Sequence, residues 1–210
     1  NIASYTLKNY GTITNLTNSG TISAVAGDGY ARAIFSRGTI TNLINTGTIS
    51  SKSNFLNSKY GTTYGIDVWG SDAHITNLIN SGTISAESGD DVAYGIYVSD
   101  LGGTITNLIN SGTISAVATT DEAAGIDNEG TITNLINSGI ISAEVTDATV
   151  DENYGIFNDG GTITNLTNTG TISGGTYDIG PTGHIVEFNN LQLGLTYSGT
   201  LPRNYSTIIQ

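Results

Sequence analysis

Apolar residues recur along this chain in short alternating bursts: Thr-Ile-Thr, then Asn-Leu, then Thr-Ile-Ser, seen in full as GTITNLINSGTIS at Gly103–Ser115. The burst starts at Gly11, Gly38, Ala73, Gly103, Gly130 and Gly161, with a degenerate echo at Gly183. Its intervals are 27, 35, 30, 27, 31 and 22 residues. Inside the motif the spacing does not drift. Gly20, Gly47, Gly82, Gly112, Gly139 and Gly170 each lie nine residues after their motif start. Self-similarity at such periods predicts a solenoid or array, in which each repeat covers the apolar face of the next.

A third burst precedes each motif: Tyr64-Gly65-Ile66, Tyr94-Gly95-Ile96, Ala124-Gly125-Ile126 and Tyr154-Gly155-Ile156, with looser forms at Arg32-Ala33-Ile34 and Tyr177-Asp178-Ile179. The segment 1–10 reads as a half-repeat, because Leu7 precedes Ile13 by six residues just as Ile34 precedes Ile40. Each repeat therefore holds three short β segments. Alternating Thr and Ile suit strands with one buried face. No stretch carries a 3.6-residue apolar period with caps, so helix is not expected. Hairpins are the competing arrangement, given the Asn-Ser-Gly punctuation. The fixed offset favours coil-on-coil stacking instead, since parallel strands about 4.8 Å apart can place like residues above one another at every position. The expected fold is all-β: a parallel β-helix of about seven coils, roughly 34 Å long at about 4.8 Å per coil.

On such a coil Ile13, Ile40, Ile75, Ile105, Ile132 and Ile163 form one inward ladder, and Ile22, Ile49, Ile84, Ile114, Ile141 and Ile172 a second. Leu16, Leu43, Leu78, Leu108, Leu135 and Leu166 form a third. Each Leu lies three residues after its Ile, an odd number that would turn it outward in a plain strand. A bend at the intervening Asn15, Asn42, Asn77, Asn107, Asn134 and Asn165 returns it to the interior. Asn tolerates tight backbone and stacks as an amide ladder. Asn18, Asn45, Asn80, Asn110, Asn137 and Asn168, beside the recurrent Gly, mark a second corner. The third corner varies in length, over Ser51–Thr63, Ala86–Ala93, Ala116–Ala123 and Ala143–Asn153. These loops hold most of the acids: Asp28, Glu87, Asp90, Asp91, Asp121, Glu122, Glu144, Asp147, Asp151 and Glu152. They read as a solvated fringe, with loose Ca²⁺ binding through their carboxylates as the functional alternative.

Composition narrows the class further. Among 210 residues there are 28 Gly, two Pro and no Cys or Met, and the formal net charge is −12. That charge opposes nucleic acid and anionic lipid, both of which need basic patches. No apolar run approaches a membrane span. Without Cys there is neither a disulfide framework nor thiol chemistry. The chain opens on Asn1 with neither an initiator Met nor a leader, as a processed product or excerpt would.

Candidate chemistry is sparse. His74 and His184 both replace the outward Thr before a ladder Ile, far apart and with no acid or serine placed beside them, so no catalytic, cofactor or metal residues are assigned. The pairs Thr12/Thr14, Thr39/Thr41, Thr104/Thr106, Thr131/Thr133 and Thr162/Thr164 would make a flat double Thr ladder, similar to the ice-binding face of β-solenoid antifreeze proteins, interrupted at His74. Ile44, Ile79, Ile109 and Ile136 follow the inward Leu and should point outward as an apolar stripe, unless the corner tucks them in. Trp69 reads as a loop anchor. The Asn-x-Thr/Ser triplets at Asn15, Asn165 and Asn204 follow from composition.

The motif GTITNL(I/T)NSGTIS, with its AYGI strands and variable Ala- and Asp-rich loops, resembles the passenger region of bacterial autotransporters, over about Tyr5–Ile185. The tail YSGTLPRNYSTIIQ resembles the stretch that follows such repeats. The resemblance implies a right-handed parallel β-helix displayed outside the bacterial cell, non-enzymatic and structural, with adhesion as a further task; the passenger scaffold of a hydrolase and a glycan- or ice-binding module are the rivals. No GDSGS serine-protease motif is present. Residues 1–188 read as β-helix repeats and 189–210 as an atypical rung or transition. Neither end carries a polar cap, so each is expected to be covered, by neighbouring segments of a longer chain or by a second copy head to tail.

Overall fold

The computed structural model describes residues 3–27, 29–54, 61–147, 149, 152–175, 177–180, 183–198 and 204–207. Asp28, Asp151, most of the tail and the middle of the long Ser51–Thr63 loop lie outside the described residues. The chain winds as stacked three-strand coils. The first coil is β1 (Ser4–Asn9), β2 (Thr12–Asn18) and β3 (Thr21–Ala26); the second is β4 (Ala31–Ser36), β5 (Thr39–Asn45) and β6 (Thr48–Ser53). The third holds β7 (Thr63–Val68), β8 (His74–Asn80) and β9 (Thr83–Ser88), and the fourth β10 (Ala93–Val98), β11 (Thr104–Asn110) and β12 (Thr113–Ala118). The fifth is β13 (Ala123–Asn128), β14 (Thr131–Asn137) and β15 (Ile140–Val145); the sixth is β16 (Asn153–Phe157), β17 (Thr162–Asn168) and the short β18 (Thr171–Ser173). Then β19 (His184–Asn190) and β20 (Asn204–Thr207) continue one side only.

Three parallel sheets result. Sheet A runs β1-β4-β7-β10-β13-β16, sheet B runs β2-β5-β8-β11-β14-β17-β19-β20, and sheet C runs from β3 to β18 in steps of one coil. The protein is thus the expected all-β solenoid, and no hairpin pairing occurs in these sheets. Register is like-on-like at the inward positions of the repeats in sheet B: Ile75 faces Ile105 and Ile105 faces Ile132, while Leu78, Leu108 and Leu135 align; at β19 Phe188 takes the Leu place and Glu187 the Asn place. From the second coil onward the three inward ladders are fully buried. In the first coil their counterparts Ile13, Leu16 and Ile22 are only partly covered.

Asparagines form two amide ladders in opposite senses: the inner one ends the sheet B strands at a corner, whereas the outer one, expected at a corner of its own, lies in the middle of unbroken strands. At the inner corner Asn18 donates to Asn45, Asn45 to Asn80, Asn80 to Asn110, Asn110 to Asn137, Asn137 to Asn168 and Asn168 to Asn190, at 2.8–2.9 Å each. In the outer, mid-strand ladder the donors point the other way, from Asn42 to Asn15 and onward to Asn165 donating to Asn134. The inner ladder is buried, and from Asn18 to Asn137 each amide also donates to backbone carbonyls, as Asn110 does to Gly112 and Ile140; Asn168 donates instead to the Gln192 side chain. The Gly beside the inner ladder is required by close approach rather than by φ. A Cβ on Gly112 would sit 2.1 Å from the carbonyl oxygen of Gly82.

The third corner differs from its sequence reading. Sheet C continues past the Thr-Ile-Ser burst to Ser53, Ser88, Ala118 and Val145, so the loops are shorter than expected. Ala86, Ala93, Ala116, Ala118 and Ala123 pack there as a second small apolar cluster. The loop of the third coil is also knitted inward: Asp91 accepts from the Gly61 amide at 2.9 Å and from the Thr62 hydroxyl, and Ser88 donates to the Gly61 carbonyl.

Past the sixth coil, sheet B runs on through β19 to Asn190, across the expected change at 188/189, while sheet A continues as single bridges from Ile156 to Ile179 to Tyr197. Sheet C has no strand at this level among the described residues. The Gln192 side chain takes its place: its Oε1 accepts from the Ile172 amide at 2.7 Å and its Nε2 donates to the Ile172 carbonyl at 2.8 Å. A primary amide thus substitutes for the peptide group that the next strand would have offered.

Candidate functional site

The outer face of sheet A departs from the repeat and gathers most of the chemistry. A Gly precedes the Ile in β7, β10, β13 and β16, following Tyr in three of them and Ala124 in β13, where a side chain would strike the neighbouring coil: a Cβ on Gly95 would lie 2.5 Å from the Gly125 oxygen and 2.9 Å from the Ile114 side chain. The residues on either side of this Gly-Ile step then face outward in two rows. One row is Tyr5, Arg32, Tyr64, Tyr94, Ala124 and Tyr154, and the other is Lys8, Phe35, Asp67, Tyr97, Asp127 and Phe157, each in coil-to-coil register.

The rings pack across the rows. Tyr64, Tyr94 and Tyr97 lie within 5.7 Å of one another by centroid, and Tyr154 stacks on Phe157 at 4.7 Å. Together with the loop acids they cover two carboxyl groups, Asp67 (0% exposed) and Asp127 (2%). Asp67 is ion-paired: the Arg32 Nε meets its Oδ2 at 2.5 Å. The guanidinium also lies 4.7 Å from the Tyr64 ring centroid and 5.0–5.4 Å from those of Tyr30, Phe35 and Tyr5, within reach of the cation–π attraction of each ring. Burial pushes the Asp67 carboxyl up to about 6, against the pull of Arg32. Asp127 has a different surrounding. Burial, then the neighbouring charges of Glu122, Glu129 and Asp159, hold its carboxyl well above the usual range. Glu122, partly buried beneath the loop, is raised to about 7, chiefly by burial, although the Tyr94 hydroxyl donates to it at 2.8 Å. Tyr97 donates to Glu129 at 2.7 Å, and burial and these acids raise the phenols of both tyrosines.

The residues singled out in the sequence fall elsewhere. The Thr pairs face outward on sheet B, flanking buried Ile residues, and His74 bridges their array, its Nδ1 2.5 Å from the Thr104 hydroxyl and its Nε2 3.4 Å from that of Thr106. His184 lies on β19, four strands along the same sheet from His74. Ile79, Ile109 and Ile136 stand outward as an exposed stripe, 36–42% accessible, rather than tucked into the corner. Trp69 is an anchor: Arg37 lies over its ring at 4.3 Å, Phe35 packs beside it, and its amide bonds the Ser36 carbonyl. Asn15 and Asn165 belong to the outer amide ladder; the side chain of Asn204 lies outside the described residues. Of the loop acids, Glu87 pairs with Lys52, Asp91 secures the Gly61–Thr62 turn, and Glu122 joins the sheet A face. Among the described residues no three acidic or histidine side chains converge to hold a metal, and no helix is long and apolar enough to cross a membrane.

The sheet A face is not among the features assigned from the sequence. Its signal was available in the column alignment: the residue after each YGI-type Ile alternates between aromatic and Asp along the stack, and Ala124 breaks a column of larger side chains. No protein-family model, curated protein or solved structure matches the chain.

Proposed function

We propose that the chain is a non-enzymatic structural module: a stiff β-solenoid rod of a surface-exposed or filament-forming bacterial protein, with adhesion as a task of its variable outer face. The observation that carries this reading is where the repeated residues go. Every position of the 13-residue motif that recurs is engaged with its own counterpart one coil away, Ile on Ile, Asn on Asn and Gly on Gly. Repetition of that kind propagates a rod, and such rods draw their stability from neighbouring coils. The resemblance to autotransporter passengers supports an extracellular setting. The half-covered Ile13, Leu16 and Ile22 of the first coil match the buried face that a further coil would bring, from a longer chain or from a second copy stacked head to tail.

Small-angle scattering at rising concentration, alongside a panel of peptide, ester and glycoside substrates, tests the reading. A rod profile whose cross-section is constant while its length is fixed or grows by whole rods is expected, with no saturable turnover. Turnover of any substrate in the panel would overturn it. The in-register outward Thr ladder favours ice binding as the second reading, with thermal hysteresis as its assay; His74 bonded across Thr104 and Thr106 interrupts the regular array that such a face needs.

A further inference from the structure

Asp67 and Asp127 hold the same position on sheet A, two coils apart, because Asp67 pairs with Tyr97 and Tyr97 with Asp127. At Asp67 the site is filled from within. Arg32, in the row beside it and one coil earlier, lays its guanidinium on the carboxylate and among the aromatic rings. The residue in Arg32's place relative to Asp127 is Tyr94, whose hydroxyl is committed to Glu122. No cation reaches Asp127 among the described residues. The described Lys and Arg side chains, Lys8, Arg32, Arg37 and Lys52, all belong to the first two coils, three or more coils away; Lys59 and Arg203 lie outside the described residues. Asp127 Oδ1 is buried without a hydrogen-bond partner, and the charged groups around it, Glu122, Glu129 and Asp159, are all acidic.

The walls match the chemistry of the filled site. On one side of the Ala124–Asp127 rung stand Tyr94 and Tyr97, stacked at 5.7 Å; on the other stand Tyr154 and Phe157, stacked at 4.7 Å. Ala124 omits the ring that its neighbours Tyr94 and Tyr154 supply in the same column; Ala124 and Asp127 are themselves covered, 0% and 2% exposed, so an entering cation has to part the side chains over the rung. Those two rings are two coils apart, roughly 9.6 Å at about 4.8 Å per strand. A planar cation over the Ala124 rung would therefore lie between the two ring pairs.

We propose that the Ala124–Asp127 rung of sheet A is a binding site for a guanidinium group from outside the chain, held on Asp127 between the Tyr94–Tyr97 and Tyr154–Phe157 pairs, as Arg32 is held on Asp67. Guanidinium fits better than a metal ion, since the carboxylates do not converge on one point. It fits better than a compact ammonium, since a planar cation stacks on rings while forking onto a carboxylate. The group comes either from a small guanidine or from an arginine side chain of a polypeptide. This site lies outside the repeated motif and does not depend on the structural reading above.

Titrations of the full chain at pH 8 with arginine amide, citrulline amide and a Gly-Ser-flanked arginine peptide, followed by NMR shifts of the Tyr and Phe rings, test the proposal. Saturable shifts at Tyr94, Tyr97, Tyr154 and Phe157 are expected from the arginine compounds, and tenfold weaker binding or none from the uncharged citrulline isostere. Tighter binding of the peptide would assign the group to a protein partner, and tighter binding of the amide to a small guanidine. Asp127→Asn should weaken binding at least tenfold with unchanged circular dichroism. Tyr94→Arg should place an internal guanidinium on Asp127, raise the melting temperature and abolish binding of the added ligand. No saturation by either arginine compound, equal binding of citrulline amide, or full binding by Asp127→Asn would each overturn it.

Discussion

Sheet B and the outer face of sheet A are built on one coil and obey different rules. On sheet B the inward Ile and Leu and the corner Asn meet copies of themselves through the six repeats, so the same contact is written again in every coil and one good solution is multiplied. On the outer face of sheet A the columns are mixed: Arg32 stands over Tyr64, Tyr97 between Asp67 and Asp127, and Ala124 between two tyrosines. Like-on-like stacking suits neutral groups. Ile stacks on Ile by burial, and an amide carries both a donor and an acceptor, so Asn satisfies Asn indefinitely. Ionised carboxylates cannot stack this way without repulsion. Acids on sheet A are accordingly spaced by aromatics, and their partners differ from coil to coil. Individuality in this rod begins where a charge enters a column.

The largest effects should come from breaking sheet B. Ile105 is fully buried and Thr104 beside it faces outward. Ile105→Asp places an unpaired carboxylate in the apolar stack and should cost several kcal/mol, whereas Thr104→Asp should cost under about 0.5 kcal/mol, as exposed substitutions do. Chemical denaturation of the two variants checks this, and equal midpoints would mean that the inward and outward faces are misassigned.

Asn110→Ala comes next. It removes the acceptor for Asn80 and the donor to Asn137, Gly112 and Ile140 in a buried corner. Stranded groups of this kind cost about 1–3 kcal/mol each. Asn107→Ala, in the half-exposed outer ladder, should cost less, because water replaces the lost partner. If the two variants melted together, burial would not be what distinguishes the ladders.

A change of pH sharpens the comparison from the sheet A side. The folded chain holds Asp67 at about 6, Glu122 at about 7 and Asp127 well above the usual carboxylate range, all raised by burial first. The unfolded chain releases these protons near pH 4, so it binds fewer protons than the folded chain above that pH. Stability is therefore fully present below about pH 4 and is lost as pH rises through about 6 to 7. For Glu122 alone the loss is on the order of 3 kcal/mol. Thermal melts from pH 4 to pH 8 should show the decline, and a Glu122→Gln/Asp127→Asn double variant should flatten it. A wild-type melting temperature that rises over this range would contradict the buried-acid description.

How much of this was legible in the sequence follows the same division. The ladders, the Asn corner after sheet B, the YGI strand and the outward stripe at Ile79, Ile109 and Ile136 could be read because identical residues at fixed offsets leave one consistent stacking; the expected corner at Asn15 and its counterparts falls in mid-strand, and Ile44 is half-buried. The alanine seam at the third corner was hidden by variable loop lengths, which blur where sheet C stops. Asp127 is not among the residues assigned from the sequence, since its burial depends on rings from the coils on either side. Gln192 gave no signal at all: a side chain acting as a strand is visible only once the edge it covers is known. The recurrent motif glycines could be placed at the corner from their offset alone, but the close approach of stacked backbones that requires them there is visible only in the coordinates of neighbouring coils.

Coil-on-coil register is the claim on which everything else rests, and a chain without cysteine allows it to be measured cleanly. Thr104 pairs with Thr131, whereas Thr133 lies two residues further along the strand. The in-register pair Thr104→Cys/Thr131→Cys should oxidise rapidly to an intramolecular disulfide. The offset pair Thr104→Cys/Thr133→Cys, with Cα atoms roughly 8 Å apart by strand geometry and so beyond the reach of a disulfide, should remain reduced under the same conditions. Equal oxidation of the two pairs, or oxidation of the offset pair alone, would contradict the like-on-like solenoid.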